Sequence, residues 1–91
     1  MKMIVEFDIG ADLIEVPEYV VENRELLRRR FIKWLYDPAV KHRWRQREGC
    51  CYRSDAFVFW LNKKVLGGSE QASVVQMGLM EWDESLPGIF F

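Results

Sequence analysis

At 91 residues the chain has room for one domain, and 49% hydrophobic with 30% charged residues excludes a disordered polymer. No apolar run approaches the roughly 18 residues of a membrane span, and Met1-Lys2-Met3-Ile4-Val5-Glu6 meets acid too early for a signal peptide, so a cytoplasmic protein away from membranes is expected. The net charge of −1 conceals a division: residues 24–53 carry ten Lys or Arg against three acids, and the remainder three Lys against eleven acids.

Met3 to Ile9 alternates, with Met3, Val5, Phe7 and Ile9 on one side, which predicts a strand with one buried face. Gly10 and Asp12 break the alternation. Ala11 to Val16 is ambiguous, and its apolar residues Leu13, Ile14 and Val16 are expected to tuck under the helix that follows. Pro17 suits a first helical position, and Glu18 and Glu22 suit the positive end of a helix dipole. A helical stripe then runs through Val20, Leu27, Phe31, Trp34 and Leu35 and stops near Asp37-Pro38, because the residue before proline disfavours helical geometry. In an alternative division, Asn23 caps a shorter helix and Pro17 to Glu22 forms a separate turn.

Residues 38–53 are open between a short helix begun at Pro38 and a ragged hairpin around Glu48-Gly49; the alternation of Arg with Trp44 and Gln46 favours the hairpin or an irregular loop. Ser54-Asp55 opens the second main helix, with Phe57, Leu61 and Val65 at four-residue spacing and Gly67-Gly68 as its stop. Val74 to Trp82 is the second strand, expected to neighbour the first. The chain then turns through 83–88 and ends on Ile89-Phe90-Phe91.

One phrase occurs twice, 26 positions apart: Phe31-Ile32-Lys33-Trp34-Leu35 and Phe57-Val58-Phe59-Trp60-Leu61. On a helix, Phe at i with Trp at i+3 and Leu at i+4 makes one apolar face. As an internal repeat or as ordinary amphipathic patterning, the phrase predicts two core helices in contact. The expected fold is therefore a single α+β domain over 1–91, two main helices on a small sheet of N- and C-terminal strands. The pairing of F-I-K-W-L-Y-D with D-A-F-V-F-W-L-N-K-K-V-L resembles small bacterial proteins that carry F-x-K-W-L-x-D and F-V-x-W-L-N segments, over roughly residues 13 to 66. These motifs consist of core-type residues. The resemblance implies a fold and no activity.

For function, catalytic signatures are missing: no G-x-S-x-G, no phosphate-binding P-loop, no His-Glu-x-x-His. Adjacent Cys50 and Cys51 are expected to be reduced, His42 is the only histidine, and Glu81, Asp83 and Glu84 read as a solvated acidic edge, so neither a cofactor nor a metal is expected. The candidate binding surface is basic and aromatic: Arg28, Arg29, Lys41, Arg43, Trp44, Arg45, Arg47 and Arg53. It fits a protein-interaction or regulatory module docking on an acidic partner, or alternatively a nucleic-acid binder gripping phosphate and stacking bases. The overall pI of about 5.8 weighs against the second reading. The apolar tail is expected to dock on its own core; a homodimer by edge pairing or tail exchange is the other solution.

Overall fold

The computed structural model describes residues 1–91. Along the chain run Lys2–Phe7 (β1), Gly10–Glu15 (β2), Glu18–Glu22 (α1), Arg24–Leu35 (α2), Arg45–Gln46 (β3), Gly49–Cys50 (β4), Ser54–Trp60 (α3), Ser73–Met77 (β5) and Gly88–Phe90 (β6). The class is α+β. No helix is long and apolar enough to cross a membrane.

β1 ends at Phe7 rather than Ile9, and Asp8-Ile9 is the turn of an antiparallel hairpin closed by the Phe7–Gly10 pair. Gly10 has φ +154°, a conformation that a side chain would strain. Ile9 is accordingly 80% exposed instead of buried. The stretch that the sequence leaves ambiguous is β2, a central strand, because a buried Asp12 interrupts its hydrophobic pattern without interrupting its pairing.

The sheet order is β5-β2-β1-β6. The strands expected to be neighbours, β1 and β5, share the sheet but are separated by β2. The other side of β1 is taken by β6, in parallel, with Val5 opposite Ile89. β5 pairs antiparallel with β2 through a bulge, where the register shifts between Leu13 and Ile14. It stops at Met77 because Gly78, at φ +76°, turns the chain away. The tail thus docks on its own core: Phe91 stacks on Phe7 at 5.5 Å between ring centroids.

The first main helix is two helices. Asn23, at φ −111° and ψ 20°, breaks the run, and its side-chain amide donates backwards to the Tyr19 carbonyl at 2.8 Å rather than capping α2. The second is α3 continued by a π turn, Leu61–Val65, in which the Leu66 amide donates to the Leu61 carbonyl at 2.8 Å. Gly67 and Gly68, both at positive φ, end it as expected. Asn62 clamps the return to β5: its amide donates to the Ala72 carbonyl, and its oxygen accepts from the Gln71 and Ala72 amides. Residues 45–50 form the small hairpin β3–β4, in line with the favoured reading of 38–53.

Met3, Val5 and Phe7 on β1, Ile14 on β2 and Ile89 on β6 meet Leu27, Phe31 and Leu35 of α2 and Phe57, Trp60 and Leu61 of the α3 arm in one core. The two copies of the repeated phrase touch: Phe31 and Phe57 lie edge to face at 5.4 Å. Of the six apolar-face positions of the two phrases, expected to be buried, Phe31, Leu35, Phe57, Trp60 and Leu61 are so. Trp34 is only partly buried, because its indole forms a wall of the groove described next.

Candidate interaction groove

Helical spacing puts Arg30, Lys33 and Trp34 in one stripe along α2, at i, i+3 and i+4, and Asp37 follows just past the helix end. Across from it, Trp60 and Lys64 stand one turn apart at the α3–π junction. These six residues line an open groove of about 520 Å³. The Arg30 guanidinium lies 5.9 Å from the centre of the Trp60 ring, within cation–π reach. The four ion pairs of the chain are Met1–Glu15, Arg28–Glu25, Arg43–Asp55 and Arg53–Asp12. Arg30, Lys33 and Lys64 therefore have no carboxylate partner. The one acid of the groove, Asp37, accepts the Ala39 amide at 2.9 Å and closes the turn after α2. Three cations against one acid thus surround the half-buried Trp34 indole, with Trp60, only 3% exposed, behind it.

Of the candidate surface expected from sequence, Arg29, Lys41, Arg43, Arg45 and Arg47 are exposed, whereas its aromatic residue is not. Trp44 is 7% exposed: its Nε1–H donates to Asp55 at 3.1 Å and its ring packs on Phe59 at 5.3 Å, so no base can stack on it from outside. Arg43 lies 4.7 Å over the Trp44 ring and 3.6 Å from the Asp55 carboxylate. Arg45 donates through one nitrogen to the carbonyls of Leu35, Asp37 and Val40, at 3.2, 2.7 and 3.2 Å. Arg28 pairs with Glu25, and Arg53 is turned inward to Asp12. Arg29, Lys41 and Arg47 remain exposed and unpaired. Several cations of the basic segment are thus engaged by the chain's own carbonyls and carboxylates, Arg43 and Arg45 while still exposed.

Arg45 and His42 show why. The last carbonyls of a helix lack partners and carry its negative dipole end, so cations gather there. His42 meets the Leu35 carbonyl at 2.8 Å through Nε2, which must be the protonated nitrogen, and stacks on Trp34 at 4.9 Å. Cys50 donates to the same carbonyl at 3.5 Å, while Cys51 is exposed. Arg45→Ala should lower stability by about 1 kcal/mol, read as a urea midpoint shift, whereas Arg47→Ala should leave the midpoint in place.

The strongest polar cluster is structural and was invisible in the sequence. Asp12, fully buried in β2, accepts hydrogen bonds from the Arg53 guanidinium, from the Ser54 hydroxyl at 2.7 Å, and from the Gly78 amide at 2.9 Å. Burial pushes its carboxyl up, but these bonds outweigh burial and hold it below the usual carboxylate range. The same pairing raises Arg53 above its ordinary value. No group of three or more His, Cys, Asp or Glu gathers in metal-binding geometry.

The acidic residues Glu81, Asp83 and Glu84 line a second open cleft, with Trp82 and Ser85, on the strap between β5 and β6. The Ser85 hydroxyl and amide both donate to Asp83, at 2.6 and 3.0 Å, and hold its carboxyl low. In the sequence Trp34 reads as wholly core, and Lys33 and Lys64 stand outside the candidate surface. The available signal was the helical spacing that sets Trp34 at the margin of the apolar face, beside two cations. Comparison with known proteins adds no relative: no family model, no curated protein and no solved structure matches the chain.

Proposed function

We propose that this chain is a non-enzymatic interaction module whose α2–α3 groove binds an acidic, aromatic-bearing segment of a protein partner. The observation that supports it is the set of three cations without carboxylate partners, Arg30, Lys33 and Lys64, placed around Trp34 and Trp60. Aromatic residues and arginine are the types enriched in interface centres, and complementary charge sets partner choice and on-rate. The nucleic-acid reading draws less support, since Trp44 is covered and Arg45 and Arg53 are engaged within the fold.

The test is fluorescence polarisation with three labelled probes: a short peptide of glutamates flanking one tryptophan, a short single-stranded DNA and a short RNA. The peptide should bind, and raising the salt from 0.05 to 0.3 M should weaken it, because screening shortens the reach of exposed charges. Arg30→Glu combined with Lys33→Glu and Lys64→Glu should reduce peptide affinity at least about tenfold, a loss of roughly 1.4 kcal/mol. Lys41→Glu with Arg47→Glu should change it little. Tighter binding of either nucleic acid through the same three cations, or peptide binding indifferent to them, would overturn the proposal.

A further inference from the structure

The groove and the acidic strap are complementary in chemistry and apart in space. The strap exposes Trp82 at 51% and Met80 at 94%, between and beside Glu81, Asp83 and Glu84. None of these carboxylates has a cationic partner in the chain, just as Arg30, Lys33 and Lys64 have no anionic one. The tip is thus the kind of segment the groove suits: an indole and a thioether carried among three acids. Within one chain the two do not meet. The strap leaves β5 with the Leu79 amide on the Ala11 carbonyl and enters β6 with the Pro87 carbonyl on the Ile4 amide.

The register fixes which way each faces. Met3, Val5, Phe7 and Ile89 point to the helices, so Ile4 and Gly88, which pair with each other, lie on the opposite face. A Cβ on Gly88 would come within 4.0 Å of the Trp82 ring, which puts the indole on that opposite face. There Ile4 is 1% exposed although it stands outside the main core. The groove, between α2 and the α3 arm, belongs to the helical side.

We infer that the α2–α3 groove of one chain takes the acidic tip Met80–Glu84 of a second copy, giving head-to-tail self-association. This rests on the proposed reading of the groove and names its occupant. Because groove and tip are different surfaces, each contact leaves one of each free, and a heterologous contact of this kind extends unless rotation closes it into a ring. Salt opposes it, since the charges that meet are exposed before they pair.

Sedimentation velocity on the full chain tests the inference. At low salt the mass should rise with concentration from the 10.9 kDa monomer beyond a dimer, and fall back at 0.3 M salt. A tip variant, Glu81→Gln with Glu84→Gln, and a groove variant, Lys33→Gln with Lys64→Gln, should each stay monomeric alone. Mixed, they should form a dimer and go no further, because only one intact groove and one intact tip remain per pair. Circular dichroism and urea midpoints confirm that each variant is folded, as expected for changes at exposed, unpaired side chains. A wild-type chain that stays monomeric at high micromolar concentration while its groove binds the glutamate–tryptophan peptide overturns the inference and leaves the groove reading intact. Failure of both removes both. Self-association that persists in the two variants places the contact elsewhere, at an open sheet edge for example, and overturns the inference as well.

Discussion

Phe31→Ala is expected to unfold the protein or nearly so. The Phe31 ring is the hub of the core: Trp34, Tyr52, Phe57, Trp60 and Phe91 stand around it with centroids 5.4–6.1 Å away. These five rings come from α2, the segment after β4, α3 and the C-terminal residue, so one side chain ties four parts of the chain together. Truncating a buried Phe removes its transfer energy and leaves a cavity that rigid aromatic neighbours fill poorly, at about 3–5 kcal/mol. A domain of this size has about 5–15 kcal/mol in total. With a urea dependence near 1 kcal/mol per molar, the midpoint should fall by about 3 M or more. Phe31→Leu, which keeps most of the volume, should be far milder. A Phe31→Ala protein with a midpoint close to the parent's would mean that the aromatic hub is not where the stability resides.

The second large effect is expected at Asp12. Its carboxylate joins β2 to the start of α3, through Arg53 and Ser54, and to the end of β5, through Gly78. Asp12→Asn keeps the shape but removes the charge and leaves a guanidinium facing an amide. Breaking a buried ion pair on one side costs about 3–5 kcal/mol, and the low end applies because the Arg53 side chain is 31% exposed and retains some water. The pH dependence has a definite sign. The folded carboxyl titrates below its unfolded value of about 4, so its stabilisation is fully present above that value and is lost as pH falls through the lower, folded one. Urea midpoints from pH 7 down to about pH 2 should show the parent losing stability where the Asp12→Asn protein does not. Parallel profiles for the two proteins would refute the assignment.

These two side chains also mark what could and could not be seen in the chain. Phe31 was legible because its helix repeats every 3.6 residues and its partners Trp34 and Leu35 are local. The second copy at Phe57 made the contact of α2 with α3 a natural expectation. Asp12 was not legible, since its meaning depends on Arg53, Ser54 and Gly78, all more than 40 positions away. Read locally, Gly10 and Asp12 end a strand. In the fold Gly10 opens the next one, and Asp12 lies at its centre.

The same limit explains the binding surface. A run of arginines and Trp44 reads as one basic, aromatic patch, yet the carbonyls at and after the end of α2 engage Arg45 and His42, and Asp55 holds the buried Trp44 indole and pairs with an exposed Arg43. Helix-end demand of this sort is set by where a helix stops, which sequence fixes only to within a turn. Lys64 joins Arg30 and Lys33 only once α2 and the π turn are side by side. The short strand β6 was likewise visible only as an apolar tail.

The groove claim is tested most directly by the indole N–H resonances of the four tryptophans in a ¹⁵N-labelled sample, titrated with the glutamate–tryptophan peptide at low salt. Trp34 and Trp60 line the groove, whereas the Trp44 indole is held on Asp55 outside it. The Trp34 and Trp60 signals should shift together and saturably, while the Trp44 signal stays nearly in place. Saturable binding that moves Trp44 and leaves Trp34 and Trp60 unmoved would contradict it.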